Sequence, residues 1–280
     1  MIYFVTVNYY STEQIARLLQ SIKNTTNIPY QFIVINNSPE DAAIYDLAGD
    51  ETLIIDAGEN LGFGGGCNLG IDWVYKQDPQ GIVWLINPDT VIKDTPDGAV
   101  AFFDSYPEVS ILGTTVWEPT GKLWFGGGQF LAATGAILEK NLLSENRLTA
   151  AYVPCDWVTG CSLLINLRNF QNCPRFDCQY FLYYEDFDFC RRYDREGHLI
   201  AVTDRLAVIH YPSSIINRDL YQKYNHSTYS YLLTMQRYAS QWVLGWRFAR
   251  LLGNALLLLL TKPAVARGKL DGLFRYMKSF

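Results

Sequence analysis

Short apolar runs alternate with helical patterns over the first part of the chain. The runs at residues 2–7, 31–35, 52–55 and 81–86 are almost entirely apolar, which predicts strands that are buried on both faces. Residues 12–23 predict a helix that Ser11 caps, residues 67–75 predict another, and the glycines at 62–66 predict a loop. This alternation indicates an α/β fold with a mostly parallel central sheet flanked by helices.

Ligands of such sheets bind beyond the carboxyl ends of the strands, so we expect the chemistry in the segments that follow residues 7, 35, 55 and 86. In the second half of the chain, predicted strands and helices no longer alternate regularly. A helix is predicted over 186–196, because Gly197 suits the position just past a helix end. From residue 227 the pattern is helical. Further strands are predicted at 109–116, 123–125, 158–165, 199–203 and 207–210, with a turn at 126–128 and an extended aromatic stretch at 180–184.

The composition excludes some classes of function. The chain has 280 residues with a formal net charge of −5, which argues against a general nucleic-acid-binding protein. Its six cysteines form neither a CxxC pair nor a zinc-site spacing, and the chain starts with an apolar run rather than a basic leader. We therefore expect free thiols and a cytoplasmic protein. The aromatic content of 15% fits a sugar-binding cleft or an ordinary core, and the sequence leaves both open.

The C-terminal segment differs in charge from the rest of the chain. From Gln241 onward it carries seven basic residues and one acidic residue, Asp271. The apolar stretch at 251–260 is about half of the ~20 residues that a membrane span needs. Trp242 and Trp246 suit the headgroup level of a bilayer, so one interpretation is a helix that lies in the membrane interface. The alternative is a helix that packs on the rest of the protein.

Two acidic motifs carry candidate chemistry. Asp89 follows the fourth predicted strand in the turn Asn87-Pro88-Asp89, where it can hold Mg²⁺ or Mn²⁺ or serve as a turn residue. Glu185, Asp186 and Asp188 are three carboxylates within four positions, and close like charges are costly unless a ligand uses them. If a helix begins there, its N-terminus favours an ionised Asp186 that can act as a general base. A simple helix cap is the alternative.

His210 and the glycine segment are weaker signals. His210 ends an apolar run and can complete a metal site or be an ordinary satisfied histidine. Gly62, Gly64 and Cys67 fail the spacing of a dinucleotide-binding loop, and no Walker lysine follows. The possibility that a nucleotide lies close to the backbone of residues 62–66 remains open.

The motifs taken in order resemble the inverting family-2 glycosyltransferases of GT-A fold, in particular their rhamnosyltransferase-like branch. The resemblance covers about residues 1–215. The segments that carry it are residues 5–9 with Ser11, residues 34–38, residues 59–64 with 68–70, residues 85–89, residues 157–160, residues 181–188 with Cys190 and Arg191, and residues 208–210.

The resemblance implies a role for each motif. Thr6, Asn8, Asn36 and Asn87 would bind the nucleotide, and the segment with Asn60, Gly64 and Asn68 would lie along the nucleotide and the donor sugar. Trp157 and Gly160 would contact the sugars. Asp89 and His210 would bind Mn²⁺ or Mg²⁺ on the diphosphate. Asp186 would be the general base, supported by Glu185, Asp188 and Arg191.

Two departures from the family pattern concern the donor. The family commonly has aspartate at the position of Asn36, which reads the base, so base recognition is expected to differ. Asn87 replaces the first acid of the metal motif, so the metal is expected to bind weakly or to need the diphosphate of the donor.

The resulting hypothesis is a transferase in bacterial surface polysaccharide synthesis. It would use dTDP-rhamnose or a UDP-hexose and a glycan or polyprenyl-linked acceptor, peripherally on the inner face of the cell membrane. We expect a catalytic domain at 1–226, with a nucleotide-binding half at about 1–115 and an acceptor-binding half at about 116–226, and a helical segment at 227–280. An inactive sugar- or nucleotide-binding module and a sugar nucleotidyltransferase are the alternatives, and a homodimer stays open.

Overall fold

The computed structural model describes residues 1–145, 150–212 and 219–279. Its strands are β1 Ile2–Asn8, β2 Tyr30–Asn36, β3 Thr52–Asp56, β4 Ile82–Ile86, β5 Thr90–Ile92, β6 Val109–Trp117, β7 Leu123–Phe125, β8 Gly128–Leu131, β9 Ala136–Glu139, β10 Val153–Pro154, β11 Ser162–Asn166 and β12 Leu199–His210. Its helices are α1 Thr12–Thr25, α2 Gly62–Gln77, α3 Asp97–Ser105, α4 Leu142–Glu145, α5 Glu185–Arg195, α6 Leu220–Tyr238, α7 Gln241–Leu258 and α8 Pro263–Lys278.

One central sheet organises the protein. Its main path runs β10-β12-β6-β11-β4-β1-β2-β3, with β5 paired to β12 and β7 paired to β6. The strands β4, β1, β2 and β3 are parallel, as the alternation of apolar runs and helices predicted. The strand β11 is antiparallel to both β4 and β6, and so joins the two halves of the sheet. The expected α/β fold with a mostly parallel sheet is confirmed.

The glycine segment is the main local correction. The loop predicted at 62–66 is the first turn of α2, and Gly62 there has φ +74°. The glycines let the helix lie directly on β1: a Cβ built on Gly66 would meet the Val7 side chain at 2.9 Å, and one on Gly70 would collide with Val5. Helix propensity disfavours glycine, but tertiary packing overrides it here.

Three other boundaries differ from the sequence prediction. The run at 158–165 is a strand only from Ser162, because the preceding residues turn away to meet α5. The two strands predicted at 199–203 and 207–210 are one strand, β12, with a shift in register between Thr203 and Ala207. The stretch at 180–184 is bent rather than extended, with positive φ at Tyr183 and Tyr184.

The C-terminal helices pack together and onto the rest of the protein. The helix α6 begins at Leu220, so it runs through the proposed boundary at 226. A second buried cluster joins α6 and α8 with the segment before α5: Tyr180, Tyr229, Leu232, Leu233, Leu273 and Tyr276.

The helix α7 has two faces. Leu244, Phe248 and Leu251 pack against the second cluster, whereas Trp242 is 90% exposed and Leu260, just past the helix end, is 95% exposed. The structure therefore confirms packing for one face of this helix, and the membrane-interface interpretation stays a prediction for the other. In the residues that the structure describes, no helix combines the length and apolarity that crossing a membrane requires.

The packing of α2 on β1 leads to a stability prediction. Gly70→Ala should lower the free energy of unfolding by about 1–3 kcal/mol, because the added methyl group overpacks against Val5. Urea unfolding followed by tryptophan fluorescence measures this. Gly253→Ala in α7 is the matched control, since a Cβ there meets nothing within 4 Å, and it should gain up to about 1 kcal/mol from helix propensity. Equal effects of the two substitutions would contradict the packing argument.

Candidate active site

A cleft of about 760 Å³ lies beyond the carboxyl ends of the parallel strands. The segments after β1, β2, β3 and β4 all reach it, through Tyr9, Asn37, Asn60 and Asp89 among others. Its other walls come from the segment before α5 and from the first turns of α6, including Lys223 and His226. The sequence predicted that the segments after these four strands form the site. It did not predict the contribution of α6, because the position of that helix depends on tertiary packing.

Three residues expected to contact the nucleotide lie in the layer beneath this cleft. Thr6, Asn8 and Asn36 are buried, and none lines the cleft surface. The Asn8 side-chain amide donates to the Asn36 Oδ1 (3.0 Å) and to the Asp41 Oδ2 (3.1 Å). Direct contact between these residues and a nucleotide stays a prediction.

Asp41 was not foreseen. It supplies a carboxylate next to Asn36, the position where the resemblance expects an acid, and its Oδ2 also accepts a hydrogen bond from the Thr12 hydroxyl at 2.8 Å. The only signal in the sequence is that Asp41 follows Asn36 in the same turn segment.

The start of α2 is held from the cleft side by Asn60. Its Oδ1 accepts hydrogen bonds from the Gly62 amide (3.0 Å) and the Asn37 side chain (3.4 Å). Gly64 and Asn68 face away from the cleft instead. Asn68 exchanges two hydrogen bonds with the Phe176 backbone, at 2.7 and 3.0 Å, and Gly64 leaves room for the Phe176 ring. Both residues position the segment that leads to α5.

Asp89 and His210 converge, as the sequence analysis expected. The Asp89 Oδ1 lies 3.3 Å from the His210 Nε2, because β5 pairs with the end of β12 and opposes Thr90 to His210. The His210 ring packs against the Trp124 ring in a tilted arrangement, with the ring centres 4.8 Å apart. Asn87 stands at the start of the turn, where its backbone amide donates to the Cys161 carbonyl.

A carboxylate oxygen and an imidazole nitrogen are both ligands that Mn²⁺ accepts. Among residues 1–145, 150–212 and 219–279, no group of three His, Cys, Asp or Glu side chains could enclose a metal ion. Asp89 and His210 lie close enough together to bind one cation, and metal binding by this pair stays a prediction.

Asp186 is presented by a strained turn. Tyr183 and Tyr184 have φ of 71° and 65°, a conformation that costs energy for side chains of this size. The turn is held on both sides, because the Phe181 carbonyl accepts from the Phe63 amide and the Leu182 carbonyl accepts from the Ser230 hydroxyl. Such strain persists where the surrounding structure over-determines it, which is common at functional sites.

The Asp186 carboxylate is anchored at both oxygens. Its Oδ2 accepts from the Gly160 amide at 2.9 Å, and its Oδ1 accepts from the Phe187 amide at 2.8 Å. Burial nevertheless raises the pKa of Asp186, against the lowering effect of these hydrogen bonds. The amide groups at the helix N-terminus favour the ionised carboxylate, as predicted, but burial has the larger effect on the pKa of Asp186. Trp157 packs on Phe187 at 6.2 Å and is buried, so it supports the turn from behind.

Glu185 and Asp188, the acidic neighbours of Asp186, are buried in different surroundings. Burial, followed by the charge of Asp186, raises the pKa of Glu185 to about 8. Asp188 is fully buried, and its carboxylate accepts from Arg192, Arg237 and Tyr238, each at 2.8 Å.

Arg191 does not contact any of the three carboxylates at the start of α5. It pairs with Asp156 and Asp194, both at 2.9 Å, and so ties α5 to the segment before β11. The expected support for the acidic cluster comes from Arg192 and Arg237 instead.

Glu139 is a further acid that the sequence did not indicate. It ends β9, and burial together with the charge of Asp186 raises its pKa. The hairpin of β8 and β9 thus brings a further carboxyl group toward Asp186.

Glu185 leads to a prediction about pH. Its pKa is higher in the folded protein than its ordinary value of 4.5, so its contribution to stability is complete below about 4.5 and is lost as the pH rises through about 8. Glu185→Gln should therefore gain stability relative to the unmodified protein, by an amount that grows from pH 5 to pH 8. Urea unfolding at several pH values measures the difference. The exposed Glu13→Gln should show a difference that does not change with pH, and the same flat profile for Glu185→Gln would contradict the assignment.

Comparisons with known proteins show which proteins the chain resembles. No protein-family profile matches the chain. The chain is 26% identical over 217 residues to the low-salt glycan biosynthesis hexosyltransferase Agl10 of Haloferax volcanii, covering 74% of this chain and 66% of that protein. It is 24% identical over 265 residues to an N-acetylglucosaminyl-diphospho-decaprenol L-rhamnosyltransferase of Mycobacterium tuberculosis, with 85% of each chain covered. The rhamnosyltransferase WbbL of Escherichia coli is 23% identical over 251 residues, or 83% of this chain and 92% of that protein.

Solved structures show the same fold at lower identity. GalNAc-T7 with UDP, GalNAc and Mn²⁺ matches 84% of this chain and 47% of its own, with a TM-score of 0.59 and 12% identity. Residues 1–349 of TarS from S. aureus match 86% of this chain and 66% of that one, with a TM-score of 0.52 and 13% identity. With the sheet described above, these matches show that the chain has the GT-A fold and is similar to rhamnosyltransferases and hexosyltransferases.

Proposed function

We propose that the protein transfers a sugar, with inversion, from dTDP-rhamnose or a UDP-hexose to a glycan or polyprenyl-linked acceptor in bacterial surface polysaccharide synthesis. The observation that carries this proposal is one site at the carboxyl edge of the sheet. Asp89, which pairs with His210, lines a donor-sized cleft, and both Asp89 and Asp186 lie close enough to Cys161 that their charges, after burial, raise the pKa of its thiol. The similar proteins from M. tuberculosis and E. coli are named rhamnosyltransferases, which supports the donor class.

The donor would lie in the 760 Å³ cleft. Asn37 and Asn60 offer amide groups there, and Tyr9 offers an aromatic face. Asp89 and His210 would hold the divalent metal, Mn²⁺ or Mg²⁺, which when bound neutralises charge that develops on the leaving diphosphate. Two protein ligands and a single formal carboxylate suit a metal that binds together with the donor rather than before it.

Asp186 would act as the general base. It takes the proton of the acceptor hydroxyl while that oxygen bonds to the anomeric carbon and the bond to the nucleoside diphosphate breaks. A single displacement from the opposite face inverts the anomeric configuration. The raised pKa of Asp186 favours this role, because a base works best when its pKa approaches the working pH. The two amides that bind its oxygens keep the carboxylate oriented.

The acceptor would be held at a membrane surface on the cytoplasmic side. The exposed apolar face of α7 begins with Trp242 and Trp246, which are 90% and 68% exposed. Basic side chains flank this face, as in helices that bind anionic bilayers. All six cysteines are free thiols, in keeping with a reducing compartment.

The role of Asp186 is tested by Asp186→Asn. Transfer should fall by about 10²–10⁴-fold, because general-base catalysis contributes that much, while donor binding survives. Nucleoside diphosphate release from UDP- and dTDP-sugars measures turnover, and calorimetric titration measures donor binding. Asp194→Asn, an exposed carboxylate farther along α5, is the matched control and should retain turnover. Unchanged turnover in Asp186→Asn would contradict the assigned role.

The metal site is tested by thermal shift. UDP or dTDP should raise the melting temperature of the unmodified protein more with Mn²⁺ than with EDTA, because only the folded state binds the metal complex. His210→Gln should lose this Mn²⁺-dependent increment. His198→Gln is the control, since the His198 Nδ1 lies against the Ser110 hydroxyl away from the cleft. An equal increment in His210→Gln would exclude that residue as a ligand.

A further inference from the structure

A second cavity of about 360 Å³ opens between the three C-terminal helices. Arg247 and Arg250 of α7 and Lys269 of α8 line it, and no carboxylate does. In the described parts of the chain none of these three cations forms an ion pair. Three positive charges that converge on one cavity repel one another, so an anion placed among them would be stabilised.

Two of the three cations, Arg247 and Lys269, are held in place by neutral groups. Arg247 donates two hydrogen bonds to the Thr134 carbonyl, at 2.7 and 3.1 Å, in the loop between β8 and β9. Lys269 donates to the Asn254 side chain and lies 5.4 Å from the centre of the Tyr224 ring. Burial also lowers the pKa of Lys269, as expected for an ammonium group without a counter-charge.

The cavity lies next to the proposed catalytic centre. Tyr183 lines the donor cleft and Tyr184 lines this cavity, so the strained turn before Asp186 separates the two. The helix α6 also separates the donor cleft from this cavity. His226 on α6 faces the donor cleft, whereas Tyr224 and Tyr231 on that helix face the cationic cavity.

On its other side the cavity adjoins the exposed apolar part of α7. Leu251 lines the cavity, and Leu256 and Leu257, which follow it on the same helix, are 52% and 78% exposed. A phosphate group in the cavity would therefore have the turn that carries Asp186 on one side and an apolar surface on the other.

We propose that this cavity binds the diphosphate of a polyprenyl diphosphate-linked acceptor, an assignment that rests on the proposed function. Arg247, Arg250 and Lys269 bind the phosphate oxygens, and Tyr184 and Tyr231 line the same cavity. The sugar then extends past the turn toward Asp186, and the prenyl chain runs along the apolar face of α7. Arginine and lysine are the side chains best suited to phosphate oxygens, since both donate charge-assisted hydrogen bonds.

The test titrates the full-length protein with farnesyl diphosphate in non-ionic detergent. EDTA is present, so that metal-dependent binding in the donor cleft does not contribute. The unmodified protein should bind farnesyl diphosphate and not farnesol. The double variant Arg250→Gln/Lys269→Gln should weaken this binding about 10-fold or more, since two charged hydrogen-bonding partners are lost.

A matched control removes two charges outside the cavity. Lys262→Gln/Arg267→Gln changes exposed residues at the start of α8 and in its second turn, and should leave farnesyl diphosphate binding within about twofold of the unmodified protein. Equal binding by the two double variants would overturn the proposal. Melting temperatures confirm that both variants are folded.

A second experiment distinguishes binding of the acceptor diphosphate from binding of a membrane phospholipid. Sedimentation with phosphatidylglycerol vesicles should fall equally in both double variants, because each loses two of the basic residues near the membrane face. A loss of vesicle binding that is specific to the cavity variant, with farnesyl diphosphate binding unchanged, would show that the cavity holds a phospholipid headgroup and would overturn the proposal. Failure of the proposed chemistry would appear instead in the Asp186→Asn turnover, which these binding measurements do not use.

Discussion

The arrangement of the site depends on the burial of one charge. Asp188 is fully buried, and removing an ionised carboxylate from water is costly unless strong donors surround it. Arg192 on its own helix and Arg237 and Tyr238 on α6 supply those donors, all at 2.8 Å. The pairing therefore joins α5 to α6, and a displacement of either helix would leave an uncompensated charge in the interior.

The position of α6 then determines the turn that carries Asp186. Ser230 on this helix donates to the Leu182 carbonyl, next to the two tyrosines with positive φ. The Phe63 amide at the start of α2 holds the preceding carbonyl. The energy that the strained turn costs is offset by contacts with two helices that are far apart in sequence. A C-terminal helix thus belongs to the structure that orients the proposed base.

The adjacent carboxyl groups of Glu185 and Asp186 have different hydrogen-bonding partners. Asp186 receives two backbone amide hydrogen bonds, whereas the buried Glu185 Oε2 finds no partner among the described residues. Burial raises the pKa of both, and hydrogen bonds oppose this shift at both, with more such donors at Asp186 than at Glu185. Protonation of either acid would relieve the repulsion between the two adjacent carboxylates.

The sequence by itself determined the class of fold, the positions of the parallel strands along the chain and the position of the acidic motifs. Those features depend on local patterns: apolar runs, helical periodicity and turn residues near the strand ends. The convergence of Asp89 with His210 was expected from the family resemblance, which implies that both bind one metal, and the structure puts them 3.3 Å apart.

Only the tertiary structure decided which charges pair and which backbone segments touch. The glycines at 62–66 belong to a helix because β1 lies against them, and no local preference indicates this. Arg237 is 49 residues from Asp188 in the sequence, Asp41 is a neighbour of Asn36 only through a turn, and the cationic cavity needs α6, α7 and α8 together. Such contacts arise from the burial of charge and the packing of whole elements, which a pattern within one segment does not contain.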